Sequence, residues 1–113
     1  MKTHVLRMRA ENKDIFDAIR AGKKKVETRA ATDKYRKIQE GDKLKFVCGG
    51  DSFQRNVVSV QRFKNIKTIL KKYKPQEINP KNKTEKEVTE TYYSFPEYRE
   101  KIKKFGLIAF ELK

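Results

Sequence analysis

Lys24, Glu27 and Arg29 lie within six residues of one another in the run Gly22-Lys23-Lys24-Lys25-Val26-Glu27-Thr28-Arg29, the densest gathering of reactive side-chain types in the sequence. Gly22 reads as the left-handed residue that follows a helix. The residues after it read as a strand alternating Lys24, Val26 and Thr28 against Lys25, Glu27 and Arg29. Cations and a carboxylate at this density are poor material for a core, and two readings stay open. In one, the segment is a solvated edge strand laced by surface ion pairs. In the other it is a ligand site, with Lys24 and Arg29 donating to an anion or a base edge and Glu27 accepting or orienting. A cation at a strand mouth is expected to carry little stability. A covalent mechanism needs a hydroxyl or thiol beside a base. This cluster offers groups for binding and orienting, or for general acid-base catalysis if burial shifts their pKa values. A Lys/Glu pair can in principle assist RNA cleavage by 2′-OH attack, which needs no protein nucleophile.

The elements that must hold these residues follow from pattern. Thr3 to Arg9 reads as a first strand, with His4, Leu6 and Met8 on one face. His4 is the only histidine, and without a cysteine cluster no metal site is expected. Asn12 stands where it would cap a short helix carrying Ile15, Phe16 and Ile19 inward and ending at Gly22. Ala30 to Lys37 is a polar crossing with a helical turn around Tyr35. Gly41-Asp42 reads as a turn that tolerates no side chain at Gly41, feeds a strand with Leu44, Phe46 and Cys48 on one face, and shapes the wall of a cleft. Gly49-Gly50-Asp51 signals a hairpin, and the long return strand to Phe63 implies a bulge or strong curl. Phe63, Ile66, Ile69, Leu70 and Tyr73 predict a second helix that stops before Pro75. Lys74 to Lys83 reads as the longest loop, a lid or contact loop. Thr84-Glu85-Lys86-Glu87 is a capping box for a helix with Val88 and Tyr92 inward. Tyr98 to Phe105 is a further helical segment closed by Gly106, and Leu107 to Leu112 is a central strand. The expected fold is α+β: a small mixed β-barrel of about five or six strands flanked by short helices, one domain over residues 1–113. A Rossmann or P-loop architecture is excluded, because no glycine-rich phosphate fingerprint exists.

A net charge of +14, with Lys and Arg spread along the whole chain, points to an acidic partner, nucleic acid first. High lysine content for solubility or heat resistance is the alternative. The single cysteine, Cys48, rules out an internal disulfide and fits a reducing cytoplasm, the expected location. No apolar run reaches membrane-spanning length and no signal-peptide core is present. Tyr35, Tyr73, Tyr92, Tyr93, Phe95 and Tyr98 are interleaved with lysines, the pattern of surfaces that stack single-stranded bases. Tyr92 and Phe95 are assigned to the core, leaving Tyr35 and Tyr93 as stacking candidates.

The spacing Gly22-x-Lys24-x-x-Glu27-x-Arg29, followed by Ile38-x-x-Gly41-Asp42-x-Leu44-x-Phe46, resembles the signature of the ASCH domain family, within the PUA-like superfamily of small β-barrels. Phe63 and the closing Lys104-Phe105-Gly106-Leu107-Ile108 extend the resemblance over essentially the whole chain. The resemblance implies a role in RNA metabolism or as a coactivator module, with RNA or a modified base held in a cleft beside the barrel. Some bacterial relatives remove the acetyl group from 4-acetylcytidine nucleosides with a lysine, a threonine and a glutamate, and others are reported to cleave RNA. By that resemblance the lysine falls on Lys24 and the glutamate on Glu77. The threonine position is Glu27 here, so the nucleophile is missing, while neighbouring Thr28 points to the other face of the strand. The expected function is therefore binding of RNA or a modified nucleoside, by Lys24, Glu27, Arg29, Tyr35 and Tyr93, in a monomer without cofactor. Gly22, Gly41 and Asp42 serve as structural residues. The alternatives are an enzyme acting on acylated nucleosides or RNA through Lys24, Glu27 and Glu77, and a protein-interaction module whose basic surface is incidental.

Overall fold

Residues 107–110 are apolar on both faces, and this places their strand in the interior of the sheet. The computed structural model describes residues 1–113 and contains five strands: β1 (Thr3–Arg7), β2 (Val26–Ala30), β3 (Lys43–Cys48), β4 (Asp51–Phe63) and β5 (Leu107–Leu112). They form one sheet in the order β1-β3-β4-β5-β2, with β1 parallel to β3 and every other pair antiparallel. Six helices join them: α1 (Lys13–Arg20), α2 (Asp33–Arg36), α3 (Ile66–Ile69), α4 (Pro75–Ile78), α5 (Glu85–Tyr93) and α6 (Tyr98–Phe105).

The curl comes from β4. Its first half pairs with β3 and its second half with β5, and the register shifts by a bulge between Val57 and Ser59. A bulge bends the strand and adds twist, so the sheet rolls toward a barrel with β1 and β2 as its unpaired edges. Alternation along β5 then builds two cores. Ile108, Phe110 and Leu112 face inward onto Leu6, Phe16, Leu44 and Phe46. Leu107 and Ala109 face outward onto Ile69, Tyr73, Val88 and Ile102, carried by the helices after β4. Burying each large apolar side chain contributes about 1.5–3 kcal/mol, and this helical layer explains why β5 turns only Glu111 toward water.

Several local expectations change. β1 ends at Arg7, although the Met8 amide still donates to the Val47 carbonyl at 2.8 Å. Asn12 makes no side-chain cap to α1. The helix expected over 63–73 is a single turn, α3, begun by Asn65, whose Oδ1 accepts from the Thr68 amide at 2.9 Å. Residues 74–83 are no free lid: they contain α4, and Ile78, Asn79 and Asn82 are buried. The capping box at α5 is half formed. The Thr84 hydroxyl accepts from the Glu87 amide, but the Glu87 carboxylate accepts from the Lys83 amide rather than from that of Thr84.

Two glycines separate strain from crowding. Gly41 has φ +93° with open space where a Cβ would stand, whereas at Gly106 (φ +78°) a Cβ would lie 2.4 Å from the Phe63 carbonyl oxygen. Gly41→Val should cost about 1–3 kcal/mol through backbone strain. Gly106→Ala should cost more, because β5 must also shift away from β4. Equal urea midpoints for the two variants would contradict this packing.

Candidate functional site

The open seam of the barrel is where the charged motif sits. β1 and β2 are not hydrogen-bonded to each other. Residues from the end of β1 and the chain just after it (Arg7, Met8 and Arg9) and from β2 (Glu27, Thr28 and Arg29) line one cleft of about 330 Å³. The register explains which side chains enter it. Glu27 stands opposite Phe110 and Arg29 opposite Ile108, so both charges project to the face where β5 places core residues.

Lys24 reaches the same place by a different route. It precedes β2, and its backbone remains tied to α1: the Lys23 and Lys24 amides both donate to the Ala18 carbonyl, at 2.9 and 3.1 Å. Gly22, at φ +78°, permits this turn. Lys24 is left only 3 % exposed and Glu27 5 %, so the segment is not a solvated edge strand and Lys24 is not a cation at a wet strand mouth. Lys24 Nζ donates to the Val26 carbonyl and lies 3.6 Å from Glu27 Oε1. Glu27 Oε1 also accepts from the Thr28 amide at 3.2 Å. Oε2 accepts from Arg29 Nε at 3.2 Å and Nη2 at 3.0 Å. Three hydrogen bonds and the Lys24 ammonium thus occupy both oxygens of the carboxylate, and Glu27 orients its neighbours rather than presenting itself to a ligand. Arg29 Nη1 donates to the Tyr35 hydroxyl at 3.2 Å, and the guanidinium lies 5.5 Å from that ring's centroid.

The walls bring in residues that the sequence did not place at the site. α5 and α6 supply Thr91, Tyr92, Tyr98 and Lys101, with Phe95 and Pro96 between them. Thr28 Oγ1 shares a 2.5 Å hydrogen bond with the Tyr92 hydroxyl, so Thr28 points to the helical side and yet still lines the cleft. The Ala30 amide donates to the Tyr98 hydroxyl at 3.4 Å. Tyr92 and Phe95 are both core and cleft wall. Asn82 pairs with the Thr91 hydroxyl. Asn79 is 7 % exposed; its Oδ1 accepts from the Lys81 amide at 3.0 Å, and its Nδ2 has no protein partner at the cleft wall. Asn12, expected as a cap, is also a wall residue.

Four residues expected at the site lie elsewhere. Tyr93 is 39 % exposed outside the cleft, with the Arg99 guanidinium 4.8 Å from its ring centroid. Glu77 is exposed on α4, where its carboxylate accepts from the Lys74 amide at 2.9 Å, and it does not join Lys24 and Glu27 in the cleft. Gly41-Asp42 does not shape the cleft wall. Asp42 instead accepts from the Gln39 and Lys2 amides and from His4 Nε2, clasping β1 to the turn before β3. No cluster of three or more His, Cys, Asp or Glu side chains is placed to hold a metal ion. No helix is long and apolar enough to cross a membrane.

Electrostatics follow from burial. Desolvation pulls the Lys24 ammonium below the ordinary lysine value, against the opposing pull of Glu27. For Glu27, burial pushes the pKa up, but Arg29, Lys24 and the hydrogen bonds together leave it below the ordinary carboxylate value. Burial also works against the Arg29 charge, which Glu27, Tyr35 and Tyr98 outweigh to hold the guanidinium firmly protonated. Burial raises Tyr92 and Tyr98, so both keep their hydroxyl protons.

No protein-family model and no curated protein matches the chain. Two solved structures share its fold end to end. The crystal structure of hypothetical protein PH0355 is 29 % identical with a TM-score of 0.85, over 100 % of this chain and 98 % of that one. The solution NMR structure of protein PF0455 from Pyrococcus furiosus is 26 % identical with a TM-score of 0.78, over 100 % of this chain and 96 % of that one. Both confirm the small α+β barrel-like fold.

The cluster predicts unequal costs for its members. Glu27→Gln leaves two buried cations without their anion and should cost about 3–5 kcal/mol. Lys24→Met removes a desolvated charge while Arg29 still neutralises Glu27, and should cost less than about 1 kcal/mol. The native Glu27 binds protons less readily than the unfolded chain, so its contribution is present above about pH 4.5 and lost as pH falls through the depressed native value. The depressed Lys24 value has the same sign in a higher range: the unfolded chain holds the proton more tightly, so stability climbs as pH rises toward about 10.5. Urea midpoints between about pH 7 and 9.5, below the range where the tyrosines ionise, should rise more for wild type than for Lys24→Met. Parallel profiles would place Lys24 in solvent.

Proposed function

We propose that this chain is a PUA-like ASCH domain that binds RNA or a modified nucleoside in the cleft between β1 and β2. One observation carries the reading: the buried floor is a set of donors whose only carboxylate is already saturated. By donor count, Lys24 keeps one N–H, Arg29 keeps two, and Asn79 keeps its amide N–H pair for a ligand. Such a floor suits a molecule rich in acceptors, such as the carbonyl oxygens and ring nitrogens of a base or a phosphate. Tyr35, Tyr92, Phe95 and Tyr98 supply aromatic surface around it. The volume lies at the small end of ligand pockets, about 300–1,000 Å³, and suits one nucleoside. A basic chain supplies long-range attraction for a nucleic acid.

A second reading, hydrolysis of an acylated nucleoside, is favoured by Thr28: it lines the same cleft as Lys24, with its hydroxyl hydrogen-bonded to that of Tyr92, although position 27 is a glutamate. Calorimetric titration with cytidine, 4-acetylcytidine and single-stranded RNA tests both. The binding reading expects saturable binding by wild type and about a 10- to 100-fold loss in Lys24→Met, the value of one charged hydrogen bond, at an unchanged melting temperature. Absence of binding at low salt would overturn it. Steady release of acetate, abolished in Thr28→Val, would establish the hydrolase instead.

A further inference from the structure

A second and larger concavity, about 720 Å³, runs along the other side of the Gly22–Val26 segment. We infer that this groove is a track for the phosphate backbone of a single-stranded nucleic acid, so that the natural ligand of the cleft is a base within a strand rather than a free nucleoside; the second half of this inference rests on the reading of the cleft given above. Lys24 lines both concavities, so they are separated by the width of one stretch of chain. As Lys24 turns inward, Lys23 and Lys25 on either side of it stay exposed and line the groove. Neither lies within ion-pair distance of a carboxylate.

Arg55 adds a fixed positive charge. Its Nη1 donates to the Gln54 carbonyl at 2.7 Å and its Nη2 to the Arg20 carbonyl at 2.6 Å, so the guanidinium is held in place with no carboxylate against it. The two carboxylates of the groove are already engaged: Glu111 accepts from the Tyr73 hydroxyl at 2.6 Å and pairs with Lys72 at 3.5 Å, and Glu77 accepts from the Lys74 amide. Lys23, Lys25, Arg55 and Lys72 bring four cations against these two carboxylates, so the groove carries a net positive charge. Lysine ammonium groups act as point charges that take phosphates without regard to sequence. A concave track suits a strand better than the flat surface of a bilayer, and an acidic peptide remains as an outcome of the test.

The experiment compares wild type with the double variant Lys23→Gln/Lys25→Gln. A fluorescent single-stranded RNA is followed by anisotropy over a salt series, cytidine and 4-acetylcytidine by calorimetry, and a poly-glutamate peptide serves as competitor. Loss of two phosphate contacts should weaken RNA binding at least about tenfold at low salt and flatten the slope of log K against log salt by about 1.4, with nucleoside affinity unchanged. An RNA slope and affinity equal to wild type would overturn the track, as would displacement of RNA by poly-glutamate at matched charge. Nucleoside binding without strand binding would overturn the track and leave the cleft reading standing. Strand binding that depends on Lys23 and Lys25 but is unchanged in Lys24→Met, with no nucleoside bound, would uphold the track and overturn the cleft reading. If neither probe binds, both fall.

Discussion

An ionised carboxylate held between two cations inside the barrel seam is the constraint on which the rest of this structure depends. Glu27 occupies a register position that its neighbours on β5 fill with Phe110 and Ile108. A charge there is tolerated only because Arg29 grips one oxygen twice while Lys24 and the Thr28 amide reach the other. No side-chain nitrogen or oxygen that is wholly shut off from the surface lacks a hydrogen-bond partner, and the Asn79 Nδ2 goes without one because it opens onto the cleft. Inward-pointing charges on an edge strand also discourage pairing with another strand. The interaction that orients the donors is therefore also the one that keeps the seam open.

Everything around the seam serves to desolvate that cluster without filling it. The bulge in β4 rolls the two sheet edges toward each other. The helices after β4 cover the outer face of β5 and β2 and bring tyrosine hydroxyls to Thr28 and Ala30. The result is a low-dielectric pocket in which each remaining N–H is worth more to a ligand than it would be in water.

The strands were legible because period-two alternation and glycine turns are local signals: the Gly49-Gly50 hairpin, the curl of β4 and the central place of β5 all follow from them. The site was legible in part. Lys24, Glu27, Arg29 and Tyr35 do converge, but their burial was not readable, since it is decided by α4, α5 and α6, more than forty residues away in sequence. Asn79 and Asn82 were hidden in a Pro-, Asn- and Lys-rich stretch whose composition reads as loop. The one available signal was Ile78, an apolar residue that anchors the segment in the core. Glu77 and Tyr93 failed for a related reason: placing a residue by likeness or by composition fixes neither the face of its helix nor the neighbours of that face.

The central claim is that a ligand docks on donors held in place by Glu27, and side-chain NMR reads those donors directly. In a titration of ¹⁵N-labelled protein with single-stranded RNA, the account predicts saturable shifts of the Arg29 Nη–H and the Asn79 Nδ2 resonances with the same apparent affinity, while the clasp around Asp42 stays unmoved. Shifts confined to exposed lysines, with Arg29 and Asn79 silent at saturation, would show that the cleft is not where the ligand binds.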